Sequence, residues 1–129
     1  MQNYSYKKTV SYSFQEAVTK IKEVLKTEGF GIVSEIDIQQ KVKQMLQIDY
    51  DQYLILGVCK PELAHRALEI EKEIGLLLPC NVIIYEDNGS VVVSALLPSV
   101  SMGFVKEVEL KYIVEEVEPK LKKCIDSLN

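Results

Sequence analysis

Two cysteines carry most of the chemical interest. Cys59 stands in Cys59-Lys60-Pro61, where a strand pattern ends and a helix pattern begins. A helix N-terminus favours negative charge, and Lys60 adds a cation beside it. Both would lower a thiol's pKa and raise its thiolate fraction. Cys80 follows Pro79 and opens another strand pattern. If the two strands are antiparallel neighbours, the thiols approach each other. If the helix between them is a parallel crossover, they lie a strand length, ~17–20 Å, apart. The plainer reading is two small buried hydrophobes, which is how free cysteine usually behaves. Soft-metal ligation is a further option, but two thiolates alone make a thin site, and the reading assigns no metal.

Glu35 and Asp37 lie two apart at a strand end, so both can face one side of a sheet. A carboxylate pair can do acid/base work. Asp37 already has a simpler role as the N-cap of the helix that follows. His65 is the one histidine and falls on a helix, away from the apolar Leu63 and Ala67 positions, so it reads as a solvated side chain. The lack of a second histidine argues against a zinc hydrolase site. Gly29-Phe-Gly31 lacks the third glycine and following helix of a dinucleotide site, and neither a P-loop nor a Gly-x-Ser-x-Gly elbow occurs. Tyr4, Tyr6 and Tyr12, interleaved with Lys7 and Lys8, faintly resemble a base-stacking surface but fit an ordinary edge strand better.

The elements that must position these residues follow from periodicity. Residues 4–11 read as a first strand. Ser13 and Glu16 form a capping box for a helix carrying Phe14, Ala17, Val18, Ile21, Val24 and Leu25 on one face, with Gly29 as its terminator. Phe30–Ile36 is a second strand, and Ile38, Val42, Met45 and Leu46 mark a short second helix. Tyr53–Cys59 is apolar on both faces, hence a central strand. Pro61 opens a third helix running to about Ile70. Asp87-Asn88-Gly89 between two apolar runs signals a tight hairpin. Residues 98–104 read as a loop. Leu110 through Leu128 form a long amphipathic helix, which Pro119 is expected to kink or split. The order β-α-β-α-β-α-β-β-α gives an α+β fold, a two-layer α/β sandwich with a mixed sheet and helices mainly on one face.

Length and composition set the frame. The 129 residues fit one domain, residues 1–129, with 47% hydrophobic and 26% charged residues. The net charge of -4 comes from interspersed acids and bases, which argues against a nucleic-acid partner. No apolar run approaches the ~20 residues that span a bilayer, and the N-terminus lacks an apolar signal core, so the expectation is no membrane and a cytoplasmic location. Three cysteines without CxxC spacing suit a reducing compartment.

One segment carries a family resemblance. Gly29-Phe-Gly-Ile-Val-Ser-Glu-Ile-Asp37, then Ile55-Leu-Gly-Val-Cys-Lys-Pro61 with Ala64 and Ala67-Leu68, then Ile74-Gly-Leu-Leu-Leu-Pro-Cys-Asn-Val82 and Tyr85-Glu-Asp87, resemble the domain-of-unknown-function 302 family. The Leu-Leu-Pro-Cys-Asn-Val block is the most specific part. The resemblance implies a small intracellular α/β protein, dimeric, with no assigned activity. It also implies cysteines at the positions of Cys59 and Cys80 and acids at those of Glu35 and Asp37. Lys60 departs from the small polar residue expected after the first cysteine. The candidate binding residues are therefore Cys59, Cys80, Asn81 and Glu35.

No complete catalytic constellation emerges, so the reading leans against an enzyme and assigns no cofactor. The leading expectation is a homodimeric binding or sensing module for a small ligand. The alternatives are a thiol-based redox or sulfur-handling protein using Cys59 or Cys80, and a structural interaction domain.

Overall fold

A computed structural model describes residues 3–129. Five strands form one sheet in the order β1 (Ser5–Val10), β5 (Ser90–Leu96), β4 (Cys80–Asp87), β3 (Tyr53–Cys59), β2 (Gly31–Asp37). The chain order also contains α1 (Phe14–Thr27), α2 (Ile38–Leu46), α3 (Pro61–Ile70), α4 (Pro98–Ser101) and α5 (Val108–Asp126), with a 3-10 helix at Lys72–Leu77.

The α+β class and the element order agree with the sequence expectation, and α1 and α5 pack on one face of the sheet. The expected mixed sheet is corrected: every strand pair is antiparallel. The reason lies between β3 and β4. Ten residues of α-helix advance the chain ~15 Å, and six of 3-10 helix bring it back ~12 Å. The chain therefore re-enters the sheet near where it left, with Val58 paired to Cys80. The intervening helix is an out-and-back excursion, not a crossover.

Local signals explain the element ends. The Ser13 N–H donates to Glu16 Oε1 at 3.1 Å, and the Glu16 N–H donates to Ser13 Oγ at 3.2 Å, completing the capping box. The Ser13 N–H holds the Glu16 carboxyl below its ordinary range. Gly29 ends the helix at φ 86°, a conformation a side chain would strain. Asp37 caps α2 through Oδ1, which accepts the Gln40 N–H at 2.9 Å. Asn88 and Gly89, both at positive φ, close the β4–β5 hairpin.

Period-two alternation then divides the sheet. Leu56, Val58, Val82, Ile84 and Val93 face α1 and α5, where Ile21, Leu25 and Ile125 meet them in the main core. Each such side chain contributes about 1.5–3 kcal/mol by leaving water. A second cluster lies between α3 and α5, built from Leu63, Ala67, Ile74, Leu110 and Ile113. The opposite sheet face carries Ile36, Ile55 and Ile83 in cross-strand register. Beside them Tyr53 and Tyr85 stack with ring centroids 5.5 Å apart. On this face Ile36 stays 41% exposed, whereas Val92 and Ser94 at its β5 end are buried. Helix α2 is amphipathic yet buries none of its residues, leaving Met45 75% and Leu46 61% exposed.

Two further expectations need correction. Residues 98–104 are not wholly loop, because Pro98 starts the short α4. Pro119 does not split α5, which runs unbroken from Val108 to Asp126. Its two halves are held by separate clusters, Leu110 and Ile113 in one and Leu121, Cys124 and Ile125 in the other, while Pro119 lies on the exposed side.

Candidate functional site

The antiparallel β3–β4 pairing brings Cys59 and Cys80 to the same end of the sheet. There the strand ends, α3, α4 and α5 line an apolar pocket of about 40 Å³. Both thiols line it, with Phe30, Leu63, Met102 and Val114 among the other walls. No disulfide joins the thiols.

The environment runs opposite to the expected activation. Burial pushes the Cys59 thiol above its ordinary pKa. Burial pushes Cys80 up to about 11, and the neighbouring Cys59 adds to the shift. The cation that should have helped is directed elsewhere: Lys60 Nζ donates to the Glu28 carbonyl and sits 5.1 Å over the Phe30 ring. Its own pKa is lowered by burial and by nearby Lys120. The Lys60 charge is felt instead by the third cysteine. Cys124 is raised to about 11, by burial first and Glu28 second, with Lys123 and Lys60 opposing. Its Sγ donates to the Val24 carbonyl at 3.5 Å.

The other sequence candidates lie elsewhere. Glu35 pairs with Lys22 at 2.9 Å and lines a separate open groove of about 480 Å³, with Asp37 and Gln52. That groove shares no wall with the cysteine cavity. Asn81 is exposed and pairs with Gly57, and alternation turns it to the sheet face away from Cys80. His65 is exposed, with Nε2 3.2 Å from Glu69 on the same helix. The tyrosine and lysine pattern of β1 serves the fold. Tyr6 donates to Asp126 Oδ1 at 2.7 Å, and Lys8 Nζ reaches the Asp126 and Leu128 carbonyls, tying down the end of α5.

The sequence thus foresaw the two thiols and missed the walls from α4 and α5. Leu110, Val114 and Val117 follow ordinary helical spacing, which marks a buried face without saying what it faces. Met102 carried no signal at all. Among the described residues, no group of three or more His, Cys, Asp or Glu is placed to hold a metal ion. No helix there is long and apolar enough to cross a membrane.

These features define a small two-layer α+β protein with an apolar, thiol-lined cavity at one end of its sheet. The chain belongs to the family described as domain of unknown function DUF302, whose model matches residues 6–128. It is similar to a solved structure described as an uncharacterized conserved DUF302 protein from Bacillus stearothermophilus. The two share 29% identity with a TM-score of 0.90, over 99% of this chain and all of that one. No curated protein matches the chain. The sequence resemblance is therefore confirmed, and so is the fold it implied.

Proposed function

We propose that this chain is a homodimeric, cytoplasmic binding module for a small ligand, and that the ligand occupies the cavity beside Cys59 and Cys80. The observation that carries this reading is the apolar pocket between the two thiols and α5. A well-formed apolar pocket with a few polar atoms is the usual form of a small-molecule site. Neutral thiols suit such a site, offering soft, polarisable contacts without charge. The raised pKa of both thiols weighs against the redox alternative, which needs thiolate at neutral pH. Three unpaired cysteines fit a reducing compartment.

The dimer rests on the partly exposed apolar face of the sheet. A two-layer fold hides one face of its sheet beneath helices, and here the other carries Ile36, Ile55, Ile83 and the tyrosine stack. Five strands of six to eight residues give a flat footprint of roughly 500 Å². A stable interface takes ~800 Å² per partner, so α2, which leaves Met45 and Leu46 exposed, would have to add to that footprint. A second copy matches such a face without a separate partner, since two-fold association needs only self-complementarity.

Two measurements test the reading. A small-molecule screen by thermal shift should yield compounds that stabilise the wild type, slow Cys59 alkylation, and lose effect in Ala64→Phe, which fills the cavity. Saturation of the screen without any shift would sink the ligand. Sedimentation should show a dimer that Ile83→Lys converts to folded monomer, and a wild-type monomer would remove the dimer.

A further inference from the structure

The cysteine cavity has a neighbour. An open cleft of about 280 Å³ adjoins it, and the two spaces share the walls Pro98, Met102, Leu110 and Val114. Building on the cavity reading above, we infer that they form one site for a small amphiphile, with Met102 as a movable partition. The apolar end passes Met102 to reach Cys59 and Cys80. An uncharged hydrogen-bonding head stays in the cleft beside Ser99, Lys111 and Glu115.

Size supports the joining. The inner cavity, at about 40 Å³, holds little more than one water-sized group. The two spaces together reach the lower end of the ~300–1,000 Å³ typical of ligand pockets. Lining supports the polarity of the ligand. The inner walls are almost wholly apolar, whereas the cleft adds a hydroxyl, an ammonium and a carboxylate. Lys111 and Glu115 are one helical turn apart with opposite charges, so the mouth favours neither an anion nor a cation.

The partition itself is weakly held. Helix α4 has four residues and no side-chain cap of its own. Its first turn is fixed from outside, by the Ser99 N–H donating to Glu118 Oε1 at 2.9 Å. Ser101 Oγ is buried without a hydrogen-bond partner, which costs stability in the observed arrangement of this turn. Methionine has three rotatable bonds and re-packs readily, which suits a side chain that must step aside. Gly103 lets the chain turn tightly behind it, since a Cβ there would lie 2.9 Å from the Ser99 carbonyl.

The test is methyl NMR on the full chain with two probes, xenon for the inner cavity and 1-hexanol for the joined site. Hexanol should shift the Met102, Leu110 and Val58 methyls together and slow Cys59 alkylation. Hexanoate and hexylammonium should bind more weakly than hexanol. Met102→Ala should tighten hexanol roughly tenfold by removing the opening cost. Met102→Leu, which keeps bulk but stiffens the side chain, should weaken hexanol and leave xenon unchanged. If xenon shifts the Val58 and Leu63 methyls while hexanol perturbs only the cleft, the spaces do not join, and the cavity reading survives alone. If neither probe reaches the inner methyls, both readings fall. Tighter binding of either charged probe overturns the assigned head group.

Discussion

Raising the pH from 7 to 10 tests the protonation state of the buried thiols. A free cysteine with pKa ~8.5 is about 3% thiolate at pH 7. Cys80, pushed up to about 11, is about 0.01% thiolate there. Since the thiolate is the nucleophile, iodoacetamide should modify Cys80 about 300-fold more slowly than free cysteine, before any steric slowing. Its rate should climb about tenfold per pH unit through pH 10, where free cysteine has already levelled off. The same shift is a stability statement. The folded state holds the Cys80 proton more tightly than the unfolded chain, so its contribution is complete below about pH 9 and is lost as pH rises through about 11. A shift from 9.0 to about 11 is worth about 2–3 kcal/mol in full, and about 1.4 kcal/mol of it is gone by pH 10. The assay is mass-spectrometric alkylation at each cysteine, with urea midpoints at pH 8 and 10 for the wild type and Cys80→Ala. The wild type should lose more stability over that interval than the variant. Labelling of Cys80 within tenfold of free cysteine at pH 7, or identical alkaline losses in both proteins, would falsify the burial argument.

Pro119→Ala should stabilise the protein by about 1–3 kcal/mol in urea denaturation, because an exposed helix-interior proline gives up one ladder bond and clashes with the preceding turn. An unchanged or lower midpoint would mean the proline shapes α5 for its two clusters. Gly57→Ala should cost about 1–3 kcal/mol, since a Cβ there falls against Ser34 Oγ and 2.6 Å from Pro79 Cγ. A neutral thermal shift would show that the strand end has slack. Ser13→Ala should cost about 1 kcal/mol by opening the capping box of α1, read from the thermal midpoint.

Legibility of the site divided along a physical line. Cys59 and Cys80 were visible because thiols are rare and chemically distinct. Their activation was misjudged because Lys60 is adjacent in sequence but turns to Glu28 and Phe30 in space. Asn81 looked like a neighbour of the thiols because it follows Cys80, and Glu35 because the family resemblance pairs acids with the cysteines. Strand alternation sends Asn81 to the other face, and Lys22 claims Glu35 in another groove. Met102 could not be seen at all, since an apolar residue in a turn carries no period.

What the sequence determined by itself is everything set within a few residues. The capping box at Ser13 and Glu16, the Asp37 cap, the Gly29 terminator and the Asn88-Gly89 turn are local hydrogen-bond and φ/ψ requirements, and all are met. The α+β class followed from the alternation of helical and strand periods. What only the tertiary structure decided is pairing over distance. Whether α3 is a crossover or an excursion depends on the path of residues 60–79, and no local period encodes that path. That one choice made the sheet antiparallel, set Val58 beside Cys80, and closed the cavity against α5. It also fixed the thiols' protonation, because desolvation is a property of the assembled surroundings and not of the residue or its neighbours in sequence.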